Sequence, residues 1–145
     1  MTYAGACHCG RITFEVRSEA PIDKAMECNC SICSKRGYLL AFVPAAQVRV
    51  HAPEADIATY TFNKHHIRHQ FCPVCGVAPF GRGADRDGNE TFAINLRCLD
   101  GVDPRTLEIQ AFDGRSLCRP APRPRRRRRR RSGAARTRSA SAPYP

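Results

Sequence analysis

The sequence has no tryptophan and only 8% aromatic residues, so any hydrophobic core that it forms is modest. It also has no apolar run close to the roughly 20 residues that a membrane-spanning helix needs. The first ten residues, MTYAGACHCG, lack the basic start and the apolar stretch of a secretory signal peptide. We therefore expect a cytoplasmic protein with no membrane partner.

Acidic residues are missing from the C-terminal part of the chain. Residues 115–145 contain 12 arginines, seven of them consecutive at 125–131, whereas residues 1–114 contain 12 basic and 13 acidic residues. The net charge of +11 therefore belongs to residues 115–145, whose Arg, Pro, Ala and Ser cannot bury enough apolar surface to fold. This composition predicts one domain over residues 1–114 and a disordered basic tail over residues 115–145.

The tail has three interpretations. It could bind nucleic acid weakly, because its arginines can neutralise phosphates. Such binding would have no sequence preference, because Tyr144 is the only aromatic residue of the tail that could stack on bases. It could instead be a solvated extension, or the product of a GC-rich gene read out of frame.

Helical periodicity is also lacking, since at most one turn, at Ser31–Arg36, has a helical pattern. Short apolar or alternating runs separated by Gly, Pro, Asn and Asp predict a mainly β domain of short antiparallel strands. The predicted strands are Arg11–Val16, Tyr38–Val43, Val48–His51, Ile57–Phe62, Ile67–Phe71, Thr91–Leu96 and Leu107–Phe112.

What the chain does have is nine cysteines, seven of them in three tight groups. The odd total and the reducing cytoplasm favour metal ligation over disulfides. Two short pairs separated by tens of residues are typical of a closed four-thiolate zinc site, whereas a group of three leaves one coordination position open. The pairs are Cys7 with Cys9 and Cys72 with Cys75, and the group of three is Cys28, Cys30 and Cys33.

Other interpretations of the cysteines remain open at this point. Disulfides are one, and a redox pair at Cys72 and Cys75 is another, although the redox pair leaves the other five thiols unexplained. A histidine could also complete the group of three and make both sites purely structural; the candidates are His8, His65, His66 and His69. Cys98 and Cys118 have no neighbouring cysteine and are not expected to be ligands.

An open site of three thiolates has a distinctive chemistry. Zinc with three thiolates carries a net charge of −1, which makes it a weak Lewis acid and a good holder of soft ligands. A substrate thiol that enters the fourth position would be deprotonated and could attack a small electrophile. Addition of a thiol to an aldehyde fits this description, and peptide hydrolysis does not.

The cysteine groups and their neighbours resemble the motifs of the glutathione-dependent formaldehyde-activating enzyme family, which includes centromere protein V. The resemblance covers nearly all of residues 3–114. It is carried by Gly5-Ala6-Cys7-His8-Cys9-Gly10, Cys28-Asn29-Cys30-Ser31-Ile32-Cys33 with Lys35-Arg36-Gly37, Phe71-Cys72-Pro73-Val74-Cys75-Gly76, Asn95-Leu96-Arg97 with Asp100, and Phe112-Asp113-Gly114. Val77, where many members carry Ser or Thr, and the arginine-rich tail depart from the family pattern.

The resemblance implies a β-tent zinc-binding fold with two zinc ions per chain. It implies a structural zinc on Cys7, Cys9, Cys72 and Cys75, and a catalytic zinc on Cys28, Cys30 and Cys33. The implied activity is that of a carbon–sulfur lyase, joining glutathione to formaldehyde or a related electrophile and catalysing the reverse. The alternative is a non-enzymatic module with two structural zinc ions that its tail tethers to nucleic acid.

Overall fold

The computed structural model describes residues 1–117, and within them the chain is mainly β. The predicted disorder and nucleic-acid binding of the tail from residue 118, together with Cys118, lie outside the described residues. The strands are β1 (Thr2–Ala6), β2 (Thr13–Arg17), β3 (Lys24–Cys28), β4 (Leu40–Pro44), β5 (Val48–Val50), β6 (Ala58–Tyr60), β7 (Arg68–Phe71), β8 (Phe80–Ala84), β9 (Glu90–Asn95) and β10 (Glu108–Phe112).

Helices are short throughout the described residues. One turn of α-helix, α1 (Cys33–Arg36), ends at Gly37, whose φ of 60° is the left-handed conformation common after a helix C-terminus. Three single turns of 3-10 helix cover Ala45–Gln47, Glu54–Asp56 and Leu96–Cys98. No helix in this part of the chain is long and apolar enough to cross a membrane.

The strands form two sheets. The smaller has the order β1-β2-β5 and the larger has the order β10-β3-β4-β9-β8-β7-β6. The predicted mainly β class is confirmed, and each of the seven predicted strands overlaps an observed one. The expectation of antiparallel pairing is wrong at one edge, because β10 pairs with β3 in parallel.

The core lies between the two sheets. Phe14 on β2 packs its ring edge-on against Phe80 on β8, which in turn meets Phe92 on β9, with ring centroids 5.4 Å apart in each pair. In β2 the buried Phe14 and Val16 alternate with more exposed residues, the pattern of a half-buried strand. A second, smaller cluster of buried residues surrounds Cys28, Cys30 and Cys33.

Candidate metal centres

The seven clustered cysteines fold into two groups, as their spacing predicts. Within each group the sulfur atoms all lie within 4.8 Å of one another. The larger group contains Cys7, Cys9, Cys72 and Cys75, and the smaller contains Cys28, Cys30 and Cys33. All eight cysteines of the described residues are free thiols.

Two tight turns with similar hydrogen bonds build the group of four. In the first turn, the amide of Cys7 donates to Ile12 at 2.9 Å and Gly10 donates back to Cys7 at 3.1 Å. In the second, the amide of Cys72 donates to the carbonyl of residue 77 at 2.9 Å and that of residue 76 donates back to Cys72 at 2.9 Å. The returning residue is a glycine with a φ near 75° in both turns, a conformation that other residues adopt at a cost.

The sulfur spacing in this group fits a zinc ion. Cys9 Sγ lies 3.7 Å from Cys7 Sγ and 3.6 Å from Cys72 Sγ. Tetrahedral zinc with bonds of about 2.3 Å to sulfur holds its thiolates about 3.8 Å apart. A disulfide needs sulfurs about 2 Å apart, so the observed separations are compatible with metal ligation and too long for oxidised pairs.

Hydrogen bonds from backbone amides lower the pKa of two thiols in this group. The amide of Val77 lowers the pKa of Cys75 to about 6, and the amide of Cys75 lowers the pKa of Cys72. For Cys9 the amide of Arg11 acts in the same direction, but burial and the neighbouring thiols outweigh it and raise the pKa to about 11. Two thiols are thus stabilised as anions by the turns themselves, which favours cation binding.

The group of three lies where β3 meets α1. Cys28 is the last residue of β3 and Cys33 is the first of α1, so the five-residue step between them wraps the three sulfurs around one point. The amide of Cys30 points at Cys28 Sγ at 3.4 Å, and Ser34 caps the turn by donating its hydroxyl to the Cys30 carbonyl at 2.8 Å. Burial raises the pKa of Cys28 and of Cys33. Burial also opposes ionisation of Cys30, but the amides of Cys33 and Ile32 outweigh it and lower its pKa overall.

The end of the described chain closes over one side of this group. Asn29 connects the cysteine segment 28–33 to the chain segment 112–117. Its side-chain amide donates to Asp113 at 2.7 Å, and its side-chain oxygen accepts from the Arg115 amide at 2.8 Å. Its backbone amide donates to Phe112 at 3.1 Å. Gly114 is held directly against Cys28, so close that a β-carbon there would overlap Cys28 Sγ.

The group of three also opens on a cavity of about 350 Å³, and this distinguishes it from the group of four. All three cysteines line the cavity, together with Tyr38 and an apolar wall. Arg36 lies between the rings of Tyr38 and Phe71 and donates to the Tyr38 hydroxyl at 2.7 Å. That hydrogen bond leaves the proton of the hydroxyl free for another acceptor.

Histidines lie near the cavity but do not join the cysteines. His66 and His69 line it, yet no histidine nitrogen in residues 1–117 completes a group with the three sulfurs within 4.8 Å. His69 is buried and stacks on Phe62, and burial together with the charge of Arg36 lowers its pKa to about 4. The histidine-completed site therefore has no support in this arrangement.

Cys98 lies apart from the seven clustered cysteines. Its sulfur belongs to neither group and lies 3.5 Å from the side-chain amide of Asn95. Burial and the nearby Cys7 and Cys75 raise its pKa to about 11. A neutral, partly buried thiol of this kind behaves as a small packing residue.

Comparison with known proteins agrees with this geometry. The model of the glutathione-dependent formaldehyde-activating enzyme family matches residues 2–113. The chain belongs to this family. A crystal structure of a Rhodobacter sphaeroides protein is similar to this chain, with 31% sequence identity and a TM-score of 0.66 over 77% of this chain and all of the other.

The region matched by the formaldehyde-activating family contains both cysteine groups. It also contains the segment up to Asp113, whose carboxylate accepts a hydrogen bond from Asn29. Sequence reasoning included Asn29, Tyr38, Asp113 and Gly114 in motifs or strands but gave them no role. A signal was present for Gly114, since it follows a predicted strand and closes the last family motif. No local pattern pointed to the hydrogen bonds of Asn29, because their partners are 84 and 86 residues away.

Proposed function

We propose that this protein is a zinc-dependent carbon–sulfur lyase-type enzyme of the cytoplasm. It joins a thiol such as glutathione to formaldehyde or a related small electrophile, and it catalyses the reverse reaction. The observation that carries this proposal is the difference between the two cysteine groups. Four sulfurs make a closed set, whereas three sulfurs face a cavity large enough for a substrate.

In this proposal Cys7, Cys9, Cys72 and Cys75 hold a structural zinc, and Cys28, Cys30 and Cys33 hold a catalytic zinc. The all-sulfur donor sets and the separations of 3.6 and 3.7 Å support zinc. When bound at the second site, zinc supplies a soft position that holds a thiol in its deprotonated form.

The reaction forms one bond between sulfur and the carbonyl carbon and breaks the S–H bond of the thiol. The C=O double bond becomes a C–OH group, so the carbonyl oxygen must gain one proton, and nothing is oxidised or reduced. Tyr38 lines the cavity, and its hydroxyl accepts a hydrogen bond from Arg36, so its own proton is available to that oxygen and the proton that the thiol loses restores the hydroxyl. The apolar wall keeps bulk water away from the reacting atoms.

The Cys30→Ser variant tests this proposal. We expect the purified wild type to bind two zinc ions per chain and to catalyse thiol–aldehyde addition. The variant should bind one zinc, lose at least about 100-fold in activity and keep a cooperative melting transition, because only the second site loses a ligand. Metal analysis, an addition assay and thermal denaturation measure the three quantities. A wild type that binds only one zinc per chain would contradict the mechanism at its first step.

A further inference from the structure

The floor of the cavity is a row of four residues on neighbouring strands. His69 on β7 is opposite Gly81 on β8, Gly81 is opposite Ala93 on β9, and Ala93 is opposite Phe42 on β4. All four line the cavity. The two middle positions carry the smallest side chains, so the floor is recessed between the rings of His69 and Phe42.

The walls around this recess are mainly apolar. Among them, Phe42 is 56% exposed, Ile67 is 49% exposed and Leu117 is 71% exposed. Single exposed hydrophobic residues are common, but a contiguous set beside a cavity marks a binding surface. The other apolar residues that line it are Met26, Ile32, Leu40, Phe62 and Phe112.

The charge of the lining is also informative. Among the described residues of the lining, Lys64 is the only lysine and none is a carboxylate, and His69 is neutral at pH 7 because its pKa is about 4. Glutathione carries two carboxylates and one ammonium group, so this lining offers few partners for it. Formaldehyde has two heavy atoms, whereas a cavity of about 350 Å³ lies in the range of roughly 300–1,000 Å³ found for drug-sized ligands.

We propose that the cavity is selective for a substrate with an alkyl or aryl group, which lies over Gly81 and Ala93 while the reacting sulfur or carbonyl lies at the three cysteines. This inference rests on the proposed thiol–aldehyde reaction and deepens it. The bonds made and broken are the same, and the apolar group on the thiol or on the aldehyde takes no part in them. Gly81 and Ala93 are specificity-determining residues in this account.

Chain-length series test the selectivity without changing the reactive group. In one arm glutathione reacts with propanal or with hexanal, and in the other formaldehyde reacts with ethanethiol or with hexanethiol. We expect kcat/KM to be at least about tenfold higher for the longer partner in one arm, since each fully buried methylene favours binding about fourfold. That arm identifies which partner carries the apolar group. Equal values in both arms would overturn the proposal.

Two variants locate the selectivity on the floor. Ala93→Leu and Gly81→Val fill the recess without touching a cysteine, and both should reduce the chain-length preference by at least about fivefold. The matched control is Gly83→Val, which lies two residues further along β8 and outside the cavity lining. The control should keep the preference. A preference that survives both floor substitutions would exclude this binding site.

A binding measurement keeps this inference separate from the proposed function. S-methylglutathione and S-hexylglutathione are thioethers that cannot undergo the reaction, and calorimetry with the zinc-loaded protein gives their affinities. We expect the hexyl compound to bind at least about tenfold more tightly, and equal affinities would overturn the selectivity. Tighter hexyl binding in a two-zinc protein without addition activity would contradict the proposed function alone, whereas activity without chain-length preference would contradict this inference alone.

Discussion

Gly114 illustrates how one residue can shape a cysteine group to which it does not belong. Its φ is outside the left-handed region, so backbone conformation does not explain the absence of a side chain. Space does, because a β-carbon would overlap Cys28 Sγ and would lie 3.1 Å from Cys30 Cβ. Because Gly114 has no side chain, the 112–117 segment can pack directly against the group of three.

We expect Gly114→Ala to weaken zinc binding at the three-cysteine site at least about tenfold. The added methyl group forces Cys28 or the 112–117 segment to move, and a ligand sphere tolerates small displacements only. Competition with a chelator of known affinity measures the change. Gly83→Ala is the control, since its new β-carbon makes contacts of ordinary length. Wild-type zinc affinity in the Gly114→Ala protein would show that the contact has no effect on the site.

At the scale of elements, the two cysteine turns join the two sheets of the fold. Cys7 directly follows β1 of the smaller sheet, whereas Cys72 directly follows β7 of the larger sheet. A metal ion held between them would therefore crosslink parts of the chain that are 65 residues apart. Because the chain lacks tryptophan and has few aromatic residues, a metal ion that crosslinks the sheets here would be a large part of its stability.

Cys72→Ser should therefore destabilise the whole domain. Cys72 is fully buried, and its loss leaves three sulfurs in a site that needs four. We expect the variant to be unfolded, or to melt at least about 15 °C lower, with less zinc per chain. Cys98→Ser removes a cysteine outside both groups and should keep two zinc ions and nearly the wild-type melting temperature. An unchanged melting temperature and zinc content in Cys72→Ser would refute the structural site.

Local patterns missed β1, β3 and β8, which have few large apolar residues. β8 has the sequence FGRGA, and its glycines lower strand propensity although they leave room for the cavity floor and for Ile67. β3, with the sequence KAMEC, is too short and polar to stand out, and its parallel partner β10 is 84 residues away. Parallel pairing at such a distance depends on tertiary packing, which no local pattern records.

The cysteine groups were more predictable than the strands. Ligand chemistry requires particular residue types at short spacings, so Cys72 and Cys75 identify their turn without knowledge of the fold. The cavity was not predictable, because it arises where the side chains of four strands meet in register. Gly81 and Ala93 are ordinary small residues in the sequence, and only their cross-strand neighbours give them a role.

At the scale of the whole molecule, contacts of the three-cysteine site extend a few residues past the domain boundary that charge predicts. The composition predicts a boundary at residue 114, after which the chain is rich in arginine. The structure, however, places Arg115 in a hydrogen bond with Asn29, Ser116 in one with Asp113 at 2.9 Å, and Leu117 in the cavity lining. These three residues belong by their contacts to the three-cysteine site.

Two truncations separate these contacts from the basic segment. A chain ending at Leu117 should keep two zinc ions and the addition activity of the full-length protein, because it retains every described contact of the site. A chain ending at Gly114 loses the hydrogen bond to Asn29 and the apolar Leu117, and its second zinc should bind at least about threefold more weakly.

The full-length chain should bind DNA or RNA with an affinity that falls steeply between 50 and 200 mM salt, since arginines displace counterions from phosphates, and neither truncation should bind. Metal analysis, the addition assay and a nucleic-acid titration at the two salt concentrations check all three proteins. Loss of zinc or activity in the chain ending at Leu117 would show that the basic segment is part of the enzyme, and equal zinc affinity in both truncations would show that the contacts of residues 115–117 do not support the site.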